Sequence, residues 1–147
     1  MTHDPNEATG IPGIIGEFSQ AFAFARVRWA RYAEEIHADL SGVDMMTLQV
    51  IQRKGPLTAT QLRQLQHTDK AVVSRQLSKL RRLGLVVAEP SAEDRRAALL
   101  TTTPEARERL HELHRRIAED YRRRFAEWSE EDLGLLRELL RRFNASG

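Results

Sequence analysis

The chain has 147 residues, 41% of them hydrophobic and 30% charged, a balance that suits one globular domain with a helical extension and excludes wholesale disorder or low-complexity architecture. It contains no cysteine, which excludes disulfides, thiolate metal sites, Fe–S clusters, cysteine nucleophiles and thiol redox sensing. The net charge of +2, from 23 Lys and Arg against 21 Asp and Glu, does not by itself announce a polyanionic partner. No apolar run approaches the roughly 20 residues of a membrane span, and the first ten residues lack the basic start of a signal peptide. A cytoplasmic protein with no membrane partner is expected.

After a polar tail expected to be flexible over residues 1–10, Ile14, Phe18, Phe22, Ala25, Trp29, Tyr32, Ile36 and Leu40 recur at spacings of three and four, the apolar stripe of a long helix. Ser41 and Gly42 interrupt it, and Asp44 is a candidate cap for a second helix carrying Met45, Leu48, Val50 and Ile51. Gly55 and Pro56 end that helix. Thr58 with Gln61 reads as a capping box for a short helix presenting Leu62 and Leu65 inward. A polar turn at His67 and Thr68 precedes a fourth helix from Asp69 to Leu83, with Val73, Leu77 and Leu80 at helical spacing and Gly84 past its end. The period then changes: Leu85 to Val87 and Ala97 to Leu100 are short apolar runs around a polar stretch from Pro90 to Arg96, a β-hairpin. Thr103 and Pro104 open a long Arg-rich helix striped by Leu110, Leu113, Ile117, Tyr121, Phe125 and Trp128. Ser129 with Asp132 starts the last helix, which carries Leu133, Leu136, Leu139, Leu140 and Phe143. The expected order is α-α-α-α-β-β-α-α.

Charge resolves along this order. Residues 1–52 carry three Arg against seven acids, a net of −4; residues 53–100 carry ten basic residues against four acids, a net of +6; and residues 101–147 carry ten against ten. The balanced carboxyl-terminal third suits a solvated helix laced with intrahelical pairs, and the middle third is the candidate anion-binding module.

Two short helices joined by a tight turn, the second followed by a two-stranded hairpin, is the order of a winged helix-turn-helix. The helix from Asp69 to Leu83 buries Val73, Leu77 and Leu80, which leaves Ala71, Arg75, Ser78, Lys79 and Arg82 on its far side. Small residues there permit close approach to a major groove, Arg can reach guanine edges or phosphates, and Ser74 and Ser78 can hydrogen-bond bases or backbone. No acid interrupts the run between Lys70 and Arg82, whereas the helix from Glu105 to Glu127 mixes both signs. At the hairpin tip, Arg95 and Arg96 stand beside Glu93 and Asp94, so that an acid can orient one guanidinium while the other enters a narrow minor groove.

The stretch Asp69-Lys-Ala-Val-Val-Ser-Arg-Gln-Leu-Ser-Lys-Leu-Arg-Arg-Leu-Gly-Leu-Val86, with Asp94-Arg-Arg96 and Thr103-Pro-Glu105, resembles the MarR family of bacterial winged-helix transcriptional regulators. By motif the resemblance covers about residues 44 to 110, and the flanking helices match in pattern alone. It implies a mainly α fold with a small β-hairpin wing: an N-terminal dimerisation helix over 11–43, a winged helix-turn-helix over 44–103 and C-terminal dimerisation helices over 104–147. It further implies a homodimer whose recognition helices enter successive major grooves of a pseudo-palindromic operator in double-stranded DNA. Carried over by position, the recognition-helix residues are Lys70, Ala71, Ser74, Arg75, Ser78 and Lys79, with Lys70 and Lys79 on phosphates. The wing residues are Asp94, Arg95 and Arg96, with Arg96 as the contact and Asp94 supporting it. Val87, Ala88 and Glu89 stand where the family often has basic residues, and Ala106 where a Gly usually follows Thr-Pro-Glu.

The aromatic residues of the terminal helices fit a packed dimer core. The resemblance favours in addition an effector pocket between those helices and the reading head, for which Phe22, Arg28, Trp29 and Tyr32 are candidates for an aromatic or anionic molecule. His111 and His114 are three apart, whereas the metalloprotease pattern requires four, so no metal site and no cofactor are expected. No nucleophile elbow, P-loop or dinucleotide fingerprint appears, and no enzyme is expected. The functional expectation is a DNA-binding repressor released by a small molecule. The alternative is a winged-helix interaction module whose basic helix docks an acidic protein.

Overall fold

A computed structural model of the chain describes residues 10–146. The tail expected over 1–10 lies, apart from Gly10, outside the described residues. The order is α1 (Ile11–Ile36), α2 (Gly42–Lys54), α3 (Ala59–Gln66), α4 (Lys70–Arg82), β1 (Val86–Pro90), β2 (Ala98–Thr102), α5 (Pro104–Arg124) and α6 (Glu130–Ala145). The chain divides within α5 into two compact units, one reaching to Leu110 and one starting at His111.

The first unit holds the core. Ala33, Met45, Leu48, Leu62, Leu80, Ala106 and Leu110 are fully buried, joined by Ile36, Leu40, Ile51, Val73 and Leu77. α1 stops at Ile36, four residues short of the last apolar position of its stripe. His37 turns extended, the Leu40 N–H donates to the His37 carbonyl at 3.0 Å, and the released Ile36 carbonyl accepts from Arg109 Nη1 at 2.9 Å. Leu40 still enters the core, from a turn.

α2 starts earlier than the Asp44 cap predicts. Ser41 is the N-cap and Asp44 is N3: the Asp44 N–H donates to Ser41 Oγ at 3.2 Å, and the Ser41 N–H donates to Asp44 Oδ2 at 3.0 Å. A serine three residues before an acid satisfies two free amide donors at once, which a lone Asp cap would not. Thr58 and Gln61 form the expected box on α3, and His67 closes that helix in the left-handed region at φ 49°. Asp69 caps α4, accepting from the Val72 N–H at 2.9 Å.

The two strands pair antiparallel from Val86 opposite Thr102 to Pro90 opposite Ala98, longer than the apolar runs suggest. A third segment extends the pairing. Leu57 bridges Leu100, with Leu57 N–H donating to the Leu100 carbonyl at 3.2 Å and Leu100 N–H returning a bond at 2.8 Å. Gly55 permits this approach, because a Cβ there would lie 2.5 Å from the Ile51 carbonyl oxygen and 3.1 Å from that of Leu100. Thr102 on β2 donates its hydroxyl to Gln52 of α2, tying the wing to the helical core.

Thr103 caps α5, accepting from the Ala106 N–H at 3.2 Å and donating to the Gly84 carbonyl at 2.8 Å. Ala106, which replaces the glycine usual at this place, is fully buried, so its methyl group fills core space.

The second unit comprises the rest of α5 and α6. Ser129 caps α6, accepting from the Asp132 N–H at 3.0 Å. Pairs three residues apart line the solvated faces, among them Arg115 with Glu112, Arg123 with Asp120 and Arg141 with Glu138. Tyr121 stacks on Phe125, which meets Trp128 edge-on. No residue of α6 is buried within the chain.

Candidate nucleic-acid interface

α4 is amphipathic in a way that separates support from display. Val73, Leu77 and Leu80 are buried, and Lys70, Ala71, Ser74, Arg75, Ser78, Arg81 and Arg82 are exposed. The expected recognition residues therefore share one accessible face, with the exception of Lys79.

Lys79 turns back into the protein. Its Nζ lies 2.6 Å from Asp44 Oδ2, with 29% of the Lys side chain and 7% of the Asp side chain exposed. Burial pushes the Asp44 carboxyl up, but the hydrogen bond from Lys79 and those from the Ser41 N–H and hydroxyl outweigh it and hold the group below its ordinary value. The lysine expected on phosphate is thus a tie between α4 and the first turn of α2.

Other side chains add positive charge beside α4. Ala59, Thr60 and Arg63 of α3 face Lys70, Ser74, Ser78 and Arg81 of α4 across a shallow cleft of about 470 Å³. Arg63 and Arg81 belong to the basic middle third of the sequence, and no local pattern marks either as a contact. Arg63 belongs to a different helix, and the apolar spacing of α4 draws attention to its far side rather than its flank. The cleft combines three cations with hydroxyl donors, a composition suited to a phosphate backbone running beside the exposed face.

At the wing tip, Ser91 and Asp94 build the turn. The Ser91 N–H donates to the Ala97 carbonyl at 2.9 Å, and Ser91 Oγ accepts from the Glu93 N–H at 3.2 Å. Asp94 Oδ1 accepts from the Arg96 backbone N–H at 2.9 Å rather than gripping a guanidinium. Asp94 therefore supports Arg96 through the backbone, and both Arg95 and Arg96 are exposed. Val87, Ala88 and Glu89 lie in β1.

The expected effector residues do not converge. Phe22 is 68% exposed and stacks on Phe18, Arg28 sits over the Phe24 ring at 4.6 Å, and Tyr32 is buried, edge-on to Trp29. Of the four, Trp29 alone lines a cleft of about 520 Å³, whose other walls come from α2, α3, the α3–α4 turn and α4.

A helix-turn-helix followed by a hairpin wing, with a basic exposed second helix, defines a winged-helix protein of the nucleic-acid-binding class. Residues 38–97 match the model of the MarR family. Its fold is similar to a crystal structure of MarR, at 24% identity and a TM-score of 0.72, covering 92% of this chain and 97% of that one. It is also similar to Streptococcus pneumoniae FabT in complex with DNA, at 24% identity and a TM-score of 0.71, covering 90% and 93%. A third similar structure is the PcaV regulator of Streptomyces coelicolor with its natural ligand, at 19% identity and a TM-score of 0.66, covering 99% and 98%. No curated protein sequence matches the chain. Among the described residues no helix is long and apolar enough to cross a membrane, and no group of three or more His, Asp and Glu is placed to hold a metal ion.

Proposed function

We propose that the protein is a homodimeric, sequence-specific repressor acting in the cytoplasm on a pseudo-palindromic operator and released by a small molecule. The observation that carries this reading is the exposed face of α4, where Ser74, Arg75 and Ser78 are accessible while the buried face is locked by Val73, Leu77 and Leu80. The inner face positions the helix, and the outer face is left for bases. In this reading Lys70, Arg63 and Arg81, which line one cleft, meet phosphates on one side, and the exposed Arg96 meets the minor groove at the wing tip.

Dimerisation is supported by apolar surface that each unit leaves uncovered. Ile11, Ile14, Ile15, Phe22 and Val27 of α1 are exposed, as are Leu135, Leu139, Leu140 and Phe143 of α6. Rows of large apolar side chains on terminal helices are unusual for a monomer and suit a helical interface between two copies. Effector release draws on the Trp29 cleft and on the ligand seen in PcaV.

The test is a footprint on the DNA flanking the protein's own gene, with excess random DNA as competitor. Protection of a palindrome that survives competition supports the reading. Loss of all protection would favour an acidic protein as the partner of the basic helix instead.

A further inference from the structure

Two buried polar side chains of α2 meet α4 at matching intervals. Asp44 and Thr47, three residues apart, are both buried beside the apolar core. Asp44 Oδ2 holds Lys79 Nζ at 2.6 Å, and Thr47 Oγ1 lies 3.0 Å from Gln76 Oε1. Gln76 and Lys79 are likewise three apart but in the reverse order, so the helices run in opposite senses where they meet, and the contacts form two rungs about one turn from each other. A third helix joins at the second rung, where Gln66 of α3 donates from Nε2 to Thr47 Oγ1 at 2.8 Å.

The Thr47 hydroxyl has one proton and two acceptors in reach, Gln76 Oε1 at 3.0 Å and the Val43 carbonyl of its own helix at 3.3 Å. The two share the proton: the contact with Val43 steadies the hydroxyl within α2, and the nearer contact crosses to α4. Val73, Leu77 and Leu80 hold α4 by apolar packing, which is non-directional, whereas the rungs fix a distance and an angle. A slip of α4 by one turn along α2 would separate Lys79 from Asp44 and leave a buried carboxylate unpaired, a penalty that the apolar stripe alone does not impose.

We propose that Asp44 and Thr47 are positioning residues that fix the rotation and axial register of α4, and thereby decide how far the protein favours its operator over random DNA. Arg75 and Ser78 directly precede Gln76 and Lys79 in the chain, so the side chains held by the rungs set the heading of those left exposed. Hydrogen bonds to base edges need that heading, whereas phosphate contacts from long cationic side chains tolerate a shifted helix. Loosening a rung therefore costs specific binding and spares non-specific binding. This inference rests on the operator-binding function proposed above and adds to it two buried residues that act on specificity through α4.

The experiment measures the affinity of the full-length protein for a palindrome from the DNA flanking its own gene and for random DNA of equal length, across a salt series. Thr47→Val keeps the shape of the side chain and removes its hydroxyl, and Lys79→Met keeps an unbranched apolar stem and removes the charge. Each is expected to lower the ratio of the two affinities about tenfold, with binding to random DNA and the salt dependence unchanged. Thr47→Ser, which keeps the hydroxyl, should keep the natural ratio. Loss of stability alone does not imitate this result, because an unfolded fraction lowers both affinities by the same factor. An unchanged ratio in either Thr47→Val or Lys79→Met overturns the two-rung assignment, and so does a lowered ratio in Thr47→Ser. Equal losses on both DNAs with a weaker salt dependence for Lys79→Met would make Lys79 a phosphate contact and overturn it as well. If the natural protein does not separate the palindrome from random DNA, the operator-binding function fails and the inference with it. If the natural protein and all the variants separate them alike, the inference alone fails.

Discussion

Arg75 and Lys79 are four residues apart on the same helix, yet one is exposed and the other is paired with Asp44. Arg75 is exposed on the outer face, so Arg75→Ala is expected to weaken specific binding by about 1–3 kcal/mol relative to random DNA, measured by competition band shift. Equal losses on both DNAs would make it a phosphate contact. Lys79 is held by Asp44, and Lys79→Ala leaves a largely buried carboxylate without its cation. The variant should lose about 1–3 kcal/mol of stability in urea unfolding, a loss that a pure phosphate contact would not show. Asp44 also sets a pH dependence. Its carboxyl is held below the ordinary value of 3.8, so its ion pair stabilises the fold fully at pH values above the unfolded value and fades as pH falls through the lower, folded one. The stability gap between the natural protein and Asp44→Asn should therefore stay constant near neutrality and narrow below about pH 4. A gap that stays the same down to pH 3 would contradict the assignment.

At the scale of elements, the recognition helix and hairpin were legible because their signals are local. Val73, Leu77 and Leu80 repeat within one helix, and Thr58 with Gln61 lie three residues apart. What escaped was non-local. The Leu57–Leu100 bridge, the Thr102–Gln52 tie and the Lys79–Asp44 pair join segments 35 or more residues apart, and no periodicity reports them. Three of the four candidate effector residues, Phe22, Trp29 and Tyr32, share the apolar stripe of α1, but helical rotation sends Phe22 to solvent and Tyr32 into the core. The cleft is built instead mainly from α2, α3 and α4. Two element-level outcomes follow from the geometry. Arg96→Ala at the wing tip should weaken DNA binding without moving the melting temperature, since the Arg96 guanidinium is exposed and the turn is held by its backbone N–H. Replacing Leu139 and Phe143 of α6 together by Glu should convert the proposed dimer to monomer in light scattering, because both side chains are exposed and apolar in the single chain. An unchanged mass would exclude α6 from the interface.

For the whole molecule, the near-neutral total charge combines an acidic amino third with a basic reading head. A dimer would present two such heads, and the spacing of the two α4 helices would set the distance between half-sites. Two-fold recognition of B-form DNA places those half-sites about one helical turn, roughly 34–36 Å, apart. The most direct measurement is a footprint of the full-length protein on the DNA flanking its own gene, with excess random competitor and Arg75→Ala in parallel. A pseudo-palindrome with half-sites about one turn apart is expected to be protected by the natural protein and lost with the variant. Protection no stronger than that of random DNA, or a footprint unaffected by Arg75→Ala, would contradict it.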